Sequence, residues 1–286
     1  MQKRAAAIHD ISCFGRCSLT VALPILSAAG IETPVIPTAV LSTHTGGFTG
    51  YTYRDLTDDI RPVVDHWASL DLEFDAVYTG FLGSIEQIGI VTECFELIKA
   101  SSKKKGRGPL VVVDPVMADD GKLYSIFPKD FPKEMRGLCM KADVIVPNLT
   151  EAALLLDIPY HEGPHTQKEI GDMLTALSEL GPKQVVITGV SYDGARLGAA
   201  SFDARTGKAA YASEARIDPM YHGTGDVFAS VLTAALVYGI ELDKACEAAV
   251  RFTVDSIART KAAGTDRRFG VDFESGLAGL TELILM

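Results

Sequence analysis

Short, wholly apolar runs recur along this chain, and each ends at a glycine, a polar residue or an acid. Leu110-Val-Val-Val-Asp114 is the clearest, and Arg4-Ala-Ala-Ala-Ile8, 74–80, Val144-Ile-Val146 and Gln184-Val-Val-Ile-Thr-Gly189 repeat the theme. A strand with one wet face alternates apolar and polar residues. An uninterrupted run suits a strand covered on both faces, as in a parallel sheet between helices. Segments of helical period stand between these runs at 19–29, 55–70, 84–100 and 167–180, and further helices are expected near Pro128 and after Asn148. Helices at 227–238, 243–261 and 274–285 close the chain, after two hairpin strands near 194–201 and 208–214. The alternation predicts one doubly wound α/β sheet.

At 286 residues and 47% hydrophobic, with no internal repeat, low-complexity stretch or long linker, the chain is expected to form a single domain over 1–286 with no separate lid domain. No apolar run approaches the ~18 residues of a membrane span, and the first residues are too short in apolar length for a secretion signal, so a cytoplasmic protein is expected. The five cysteines (Cys13, Cys17, Cys94, Cys139, Cys246) are scattered and form no Cys-x-x-Cys, which points to reduced core or pocket thiols. A net charge of −10 argues against nucleic acid or an acidic membrane as partner, since their phosphates would be repelled. The one basic cluster, Lys103-Lys104-Lys105 with Arg107, reads as a solvated helix end.

The stretch Met220-Tyr221-His222-Gly223-Thr224-Gly225-Asp226 opens the apolar helix at 227–238. Unpaired N–H groups and the positive end of the helix dipole meet at such a start, and glycines let an anion approach closely. Asp226 is out of place beside an anion unless it takes a proton from something, as a general base does from an alcohol. The plainer alternative is a helix capped by Thr224, with Asp226 favouring the dipole.

Other polar residues fall where strands end, the edge at which open α/β sheets place ligands. Ser12 lies in a polar turn spanning 11–18 and is either a substrate contact or a turn residue. The Gly- and Thr-rich stretch 42–53 reads as a mobile flap. Asp114 ends its strand, Asp119 and Asp120 follow in the next loop, and Asn148 and Glu151 stand three apart at a loop-to-helix corner. Asp114, Asn148 and Glu151 suit magnesium held through waters beside nucleotide phosphates; the alternative is that Asn148 and Glu151 are helix-capping partners. His161-Glu162-Gly163-Pro164-His165 spells a zinc-protease motif, but Gly-Pro would break the helix that motif requires. Asn148-Leu149-Thr150 is formally a glycosylation acceptor, which a chain without an export signal does not use.

Gly223-Thr-Gly-Asp226, Asp114-Pro-Val-Met117 and Asn148-x-x-Glu151 together resemble the ribokinase superfamily of ATP-dependent small-molecule kinases, and within it the pyridoxal kinases. Ser12 with Phe14-Gly-Arg-Cys-Ser18, Ser42-Thr-His-Thr-Gly46 and Tyr78-Thr-Gly-Phe-Leu-Gly-Ser84 extend the likeness over nearly the whole chain. That superfamily uses no P-loop, and none is present. The resemblance implies a ribokinase-like three-layer α/β sandwich, with a central, mostly parallel sheet and helices on both faces. It implies transfer of the ATP γ-phosphoryl to the 5′-hydroxymethyl group of pyridoxal, pyridoxine or pyridoxamine, in vitamin B6 salvage. By motif, Asp226 is the base and the N–H groups of Gly223, Thr224 and Gly225 form the anion hole. Asp114 and Glu151 organise magnesium and phosphates, and Asn148 and Thr188 approach ATP. Ser12 and Thr45 hydrogen-bond the pyridine, and Phe81 stands where family members often stack a tyrosine. A homodimer is implied, while potassium assistance and the preferred vitamer stay open. The segment 8–15 is worded unlike pyridoxal kinases, and Cys13 and Cys17 are not expected from them. Two alternatives remain: a hydroxymethylpyrimidine kinase of thiamine synthesis, which usually carries cysteine in place of Asp226, and a nucleotide-binding regulator without turnover, for which Asp226 would be a liability.

Overall fold

The structure, a computed structural model, describes residues 2–102 and 108–285. The basic cluster of Lys103, Lys104, Lys105 and Arg107 lies outside the described residues. In chain order the elements are β1 (Ala5–Ser12), α1 (Leu19–Ala28), β2 (Val35–Leu41), β3 (Tyr53–Asp55), α2 (Thr57–Ser69), β4 (Ala76–Thr79) and α3 (Ile85–Ser101). Then come β5 (Leu110–Val113), β6 (Ala118–Asp119), β7 (Lys122–Leu123), α4 (Phe131–Cys139), β8 (Val144–Ile145), α5 (Leu149–Leu156) and α6 (Gln167–Glu179). The chain finishes with β9 (Gln184–Val190), β10 (Arg196–Asp203), β11 (Lys208–Ala215), α7 (Thr224–Val237), α8 (Leu242–Ala263) and α9 (Leu280–Leu285).

Nine strands form one sheet in the order β11-β10-β9-β8-β5-β4-β1-β2-β3. The six from β9 to β2 run parallel, and β3 at one end and β10 and β11 at the other add antiparallel pairings. Side-chain alternation divides the core in two. Tyr78, Val112 and Val144 face α1, α7, α8 and α9, while Val77, Val111, Val113 and Ile145 face α2 to α6. These two faces and the sheet make the three layers expected, and the uninterrupted apolar runs are the central strands. Helix starts follow local chemistry: Ser84 accepts from Gln87 N–H ahead of α3, and Thr166 with Glu169 closes a capping box on α6.

The sequence expectation misses in four places. β3 pairs with β2 over residues expected in the flap and at a helix start, and Glu274–Gly279 forms a 3-10 turn ahead of the short α9 in place of one helix over 274–285. β1 continues through Ser12 rather than turning at Ile11, because β2 pairs with it as far as Ser12 and Leu41 and carries His9, Asp10 and Ser12 into the interior. The loop after Asp114 folds into the small β6–β7 hairpin, too short for periodicity to reveal. As expected, the segment 161–165 forms no helix. Among the described residues no group of three or more His, Cys, Asp or Glu side chains is placed to hold a metal ion. All five cysteines are free, with Cys13 exposed and the others buried. Among the described residues no helix is long and apolar enough to cross a membrane.

A hollow of about 760 Å³ opens at the amino edge of the parallel strands, between Asp143, Gln184, Asp203, Arg205, Lys208 and Asp243. Its charges answer one another: Arg205 pairs with Asp203 and Lys208 with Asp243 at 2.8 Å. It includes none of the residues singled out by sequence.

Candidate active site

Parallel strands bring their carboxyl ends to one edge, so the segments after β1, β2, β4, β5, β8 and β9 gather there. β10 and β11 are successive antiparallel partners of β9, so β11 also ends at that edge and delivers the chain to the start of α7. Sequence-distant polar residues thereby meet.

Ten of the fourteen residues of α7 are buried, which fixes its position between α1 and α8. Its cap is Gly223, with φ of 75°. A Cβ there would sit on the carbonyl oxygen of Arg16, so only glycine lets the β1–α1 loop close against the helix start. The first helical bond runs from Val227 N–H to Gly223 O, and the N–H groups of Thr224, Gly225 and Asp226 precede the ladder. Gly225 is exposed, and a Cβ on it would meet nothing within 4 Å, so an anion can approach. The Thr224 hydroxyl donates to Tyr221 O at 3.2 Å and caps no helix N–H, unlike the plainer sequence reading.

Asp226, in the first turn, accepts the backbone N–H of Ser18. Burial foremost, then the nearby charge of Asp10, pushes its carboxyl up to about 7 against the pull of that N–H. Part of its surface stays accessible. Such a group is half ionised near neutrality, where a general base works best.

Asp114 leaves the end of β5 7% exposed, and among the described residues no hydrogen bond engages its carboxylate. Glu151 is 3% exposed and fully engaged: Oε1 accepts from Met117 at 3.0 Å, and Oε2 from Asn148 N–H at 2.8 Å. Burial raises both carboxyls, and the charge of Glu151 raises Asp114 further. The N–H bonds hold Glu151 down against that burial, whereas Asp114, without such bonds, is raised well above the ordinary carboxylate range. Asn148 and Glu151 form a full capping box on α5, and the Asn148 amide donates to Ala118 O at 2.8 Å. The capping alternative thus describes this pair's geometry. Thr188 N–H bonds to Pro147 O, and Asn148 and Thr188 bridge across the ends of β8 and β9. Beyond them Gly189 is exposed, with no atom within 4 Å of a notional Cβ.

On the other flank, Ser12 is fully buried and donates to Asp10 Oδ2 at 3.1 Å. Phe81 is partly buried, with its ring 5.7 Å from that of Phe127. Thr45 is exposed on the flap, whose neighbouring residues dock on the segment before α7 and on the turn near Arg268. His44 anchors this contact: Nδ1 accepts from Gly46 N–H at 3.1 Å, so Nε2 carries the proton and donates to Arg268 O at 2.6 Å. Its ring lies 5.2 Å from that of His222, and Phe48 packs edge-on against His44 and Phe14.

Sequence reasoning singled out neither Asp10, Ser18, Tyr53, Tyr78, His44 nor His222. Ser18, with φ of 54°, presents its N–H to Asp226 and its hydroxyl to Asp10. Asp10, following the apolar run Ala5–Ile8 in the same strand, was the available signal, since a buried acid needs partners.

The family model for phosphomethylpyrimidine kinase matches residues 25–270. A candidate phosphomethylpyrimidine kinase from Bacteroides thetaiotaomicron, solved in a form with pyridoxal, is 39% identical with a TM-score of 0.89, over 98% of this chain and 96% of that one. Pyridoxal kinase from Lactobacillus plantarum is 33% identical with a TM-score of 0.86, over 99% and 98%. A pyridoxine/pyridoxal/pyridoxamine kinase from Bordetella avium is 28% identical over 260 residues, 87% of this chain and 83% of that protein. With its ribokinase-like sheet and the acids gathered at the sheet's carboxyl edge, the chain belongs to the phosphomethylpyrimidine kinase family.

Proposed function

We propose that this protein transfers the γ-phosphoryl group of ATP to the 5′-hydroxymethyl group of pyridoxal, pyridoxine or pyridoxamine. The observation that carries the reading is Asp226: a carboxyl held near 7, in the first turn of a helix whose leading N–H groups face an open approach. The likeness to the pyridoxal-containing Bacteroides structure supports a B6 vitamer as the alcohol.

The alcohol presents its hydroxyl proton to Asp226, which accepts it as the oxygen attacks the γ-phosphorus, the bond to the β-phosphate oxygen breaks and ADP leaves. The N–H groups of Gly223, Thr224 and Gly225 and the dipole of α7 meet negative charge on the transferring phosphoryl oxygens, the charge that must be stabilised in such a transfer. Asn148, through its backbone, and Thr188 flank the nucleotide. Phe81 offers a ring face to the pyridine, and Ser12 and Thr45 its polar contacts. Asp114 fits magnesium as a direct ligand, since its lone pairs are unengaged, whereas Glu151 fits as a neighbouring charge acting through water. Magnesium, when bound, would supply positive charge to offset that of the phosphates. The reading includes a homodimer, which rests on family resemblance and is checked by sedimentation.

The test is ATP turnover with magnesium and each B6 vitamer or hydroxymethylpyrimidine offered alone. Turnover with a vitamer is expected, and kcat/KM should rise with pH through about 7 as Asp226 ionises. Turnover only with the pyrimidine would refute the vitamer reading. A flat pH profile would refute Asp226 as the base.

A further inference from the structure

Asp10 has no task in the transfer described above, yet it lies among the residues that perform it. It is 4% exposed. Its Oδ2 accepts the proton of Ser12 at 3.1 Å, the Ser18 hydroxyl donates to the same carboxylate, and Oδ1 has no hydrogen-bond partner among the described residues. The titratable groups facing it are Asp226 on α7, Cys17 in the loop after β1 and Tyr53 on β3, and none of them is a cation.

A serine hydroxyl has one proton and two lone pairs. With its proton given to Asp10, Ser12 can offer a ligand only lone pairs. Ser18 is bound the same way; burial raises the Asp10 carboxyl while the two serine hydroxyls favour its ionised form, in which Oδ1 can only accept, and Asp226 as a base can only accept. This end of the site is therefore rich in acceptors: the Tyr53 phenol already donates to Asp55 at 3.5 Å, and the Cys17 thiol is only a weak donor. A ring nitrogen without a proton would set its lone pair against that of Ser12. One that carries a proton supplies a charge-assisted donor and the missing positive charge.

We propose that Asp10 sets the hydrogen-bond polarity of the substrate subsite, making Ser12 an obligate acceptor so that the enzyme takes the ring-protonated, pyridinium form of its heteroaromatic alcohol. The inference rests on the reading above in which Ser12 meets the substrate ring. Ser12 is enclosed, so the ring reaches it as neighbouring side chains move aside. Tyr53 is the flap residue placed to do so, with its phenol oxygen filling the space beside Gly83. Asp10 is a specificity-determining residue acting through Ser12.

The experiment compares pyridoxine with its carbocyclic analogue, in which a C–H replaces the ring nitrogen, by calorimetric Kd at one pH below and one above the pKa of the ring nitrogen. The ratio of the two affinities cancels effects common to both ligands, including the titration of Asp226. In the unaltered enzyme pyridoxine should win by about tenfold or more at the lower pH and lose that advantage at the higher one. In Asp10→Asn the amide can donate to Ser12, freeing the serine proton to point at an unprotonated ring, so the advantage should persist or grow at the higher pH. Ser12→Ala, which leaves Asp10 in place, should bring the ratio close to one at both. The same pH course in the unaltered enzyme and in Asp10→Asn would overturn the proposal. Failure of the unaltered enzyme to bind pyridoxine at all would overturn the functional reading, and this inference with it.

Discussion

Replacing Asp226 by asparagine should make the protein more stable and nearly inactive, and both effects have one cause. The carboxyl is moved from its ordinary 3.8 to about 7, mainly by burial. At about 1.4 kcal/mol for each tenfold change in proton affinity, its charge is held about 4 kcal/mol less favourably than in the unfolded chain. The folded state binds this proton more tightly than the unfolded state. Stability therefore falls as pH rises from about 4 to about 7 and stays low beyond. Asparagine has no charge to bury, and its Oδ1 still accepts the Ser18 N–H. Because part of Asp226 remains accessible, the gain above neutral pH is put at about 2–4 kcal/mol, or roughly 3–7 °C in Tm for a chain of this size. Near pH ~4 and below, the two proteins should melt together. Turnover should fall by about 10²–10⁴-fold with ATP binding retained. Melting curves on both sides of neutrality, beside turnover at the higher pH, decide the matter. An unchanged or lower Tm at the higher pH would mean that folding does not disfavour this charge, and an unchanged rate would remove Asp226 as the base.

Gly223→Ala should destabilise by more than ~1 kcal/mol and cripple turnover, because the new Cβ needs a left-handed backbone and the space held by the Arg16 carbonyl; denaturant unfolding and kcat check it. Glu151→Ala strips partners from the N–H groups of Met117 and Asn148 and should lower stability by at least ~2 kcal/mol, whereas Asp114→Asn, with no hydrogen bond to lose, should leave it undiminished and weaken magnesium dependence instead. Equal stability losses in the two variants would show that the acids share one role. The flap at 45–53 should lose protease sensitivity when ATP and vitamer are both bound, and unchanged cleavage there would count against closure over the substrate.

The apolar runs at Leu110–Val113 and Val144–Ile145 could be read directly, since a strand covered on both faces leaves no room for polar alternation. The anchor at Gly223 to Asp226 was legible for a similar reason: a helix that is apolar nearly all round must be buried, which leaves its start as the place where polar groups face out. The role of Glu151 was less legible. Spacing to Asn148 suggests a capping box or a metal contact equally well, and the N–H groups of Met117 and Ala118 that engage it come from a hairpin with no sequence signature.

By itself the sequence determined the layers, the sheet's direction and the edge at which the polar loop residues gather, because burial and strand polarity are written in local periodicity and in the order of elements. Tertiary structure alone decided which distant groups share a charge or a proton: Asp10 with Ser12 and Ser18, Ser18 with Asp226, Glu151 with Asp114, and His44 with the turn at Arg268. Proton affinity and hydrogen-bond polarity depend on contacts of a few ångströms between residues as many as 224 positions apart, and no pattern along the chain records them.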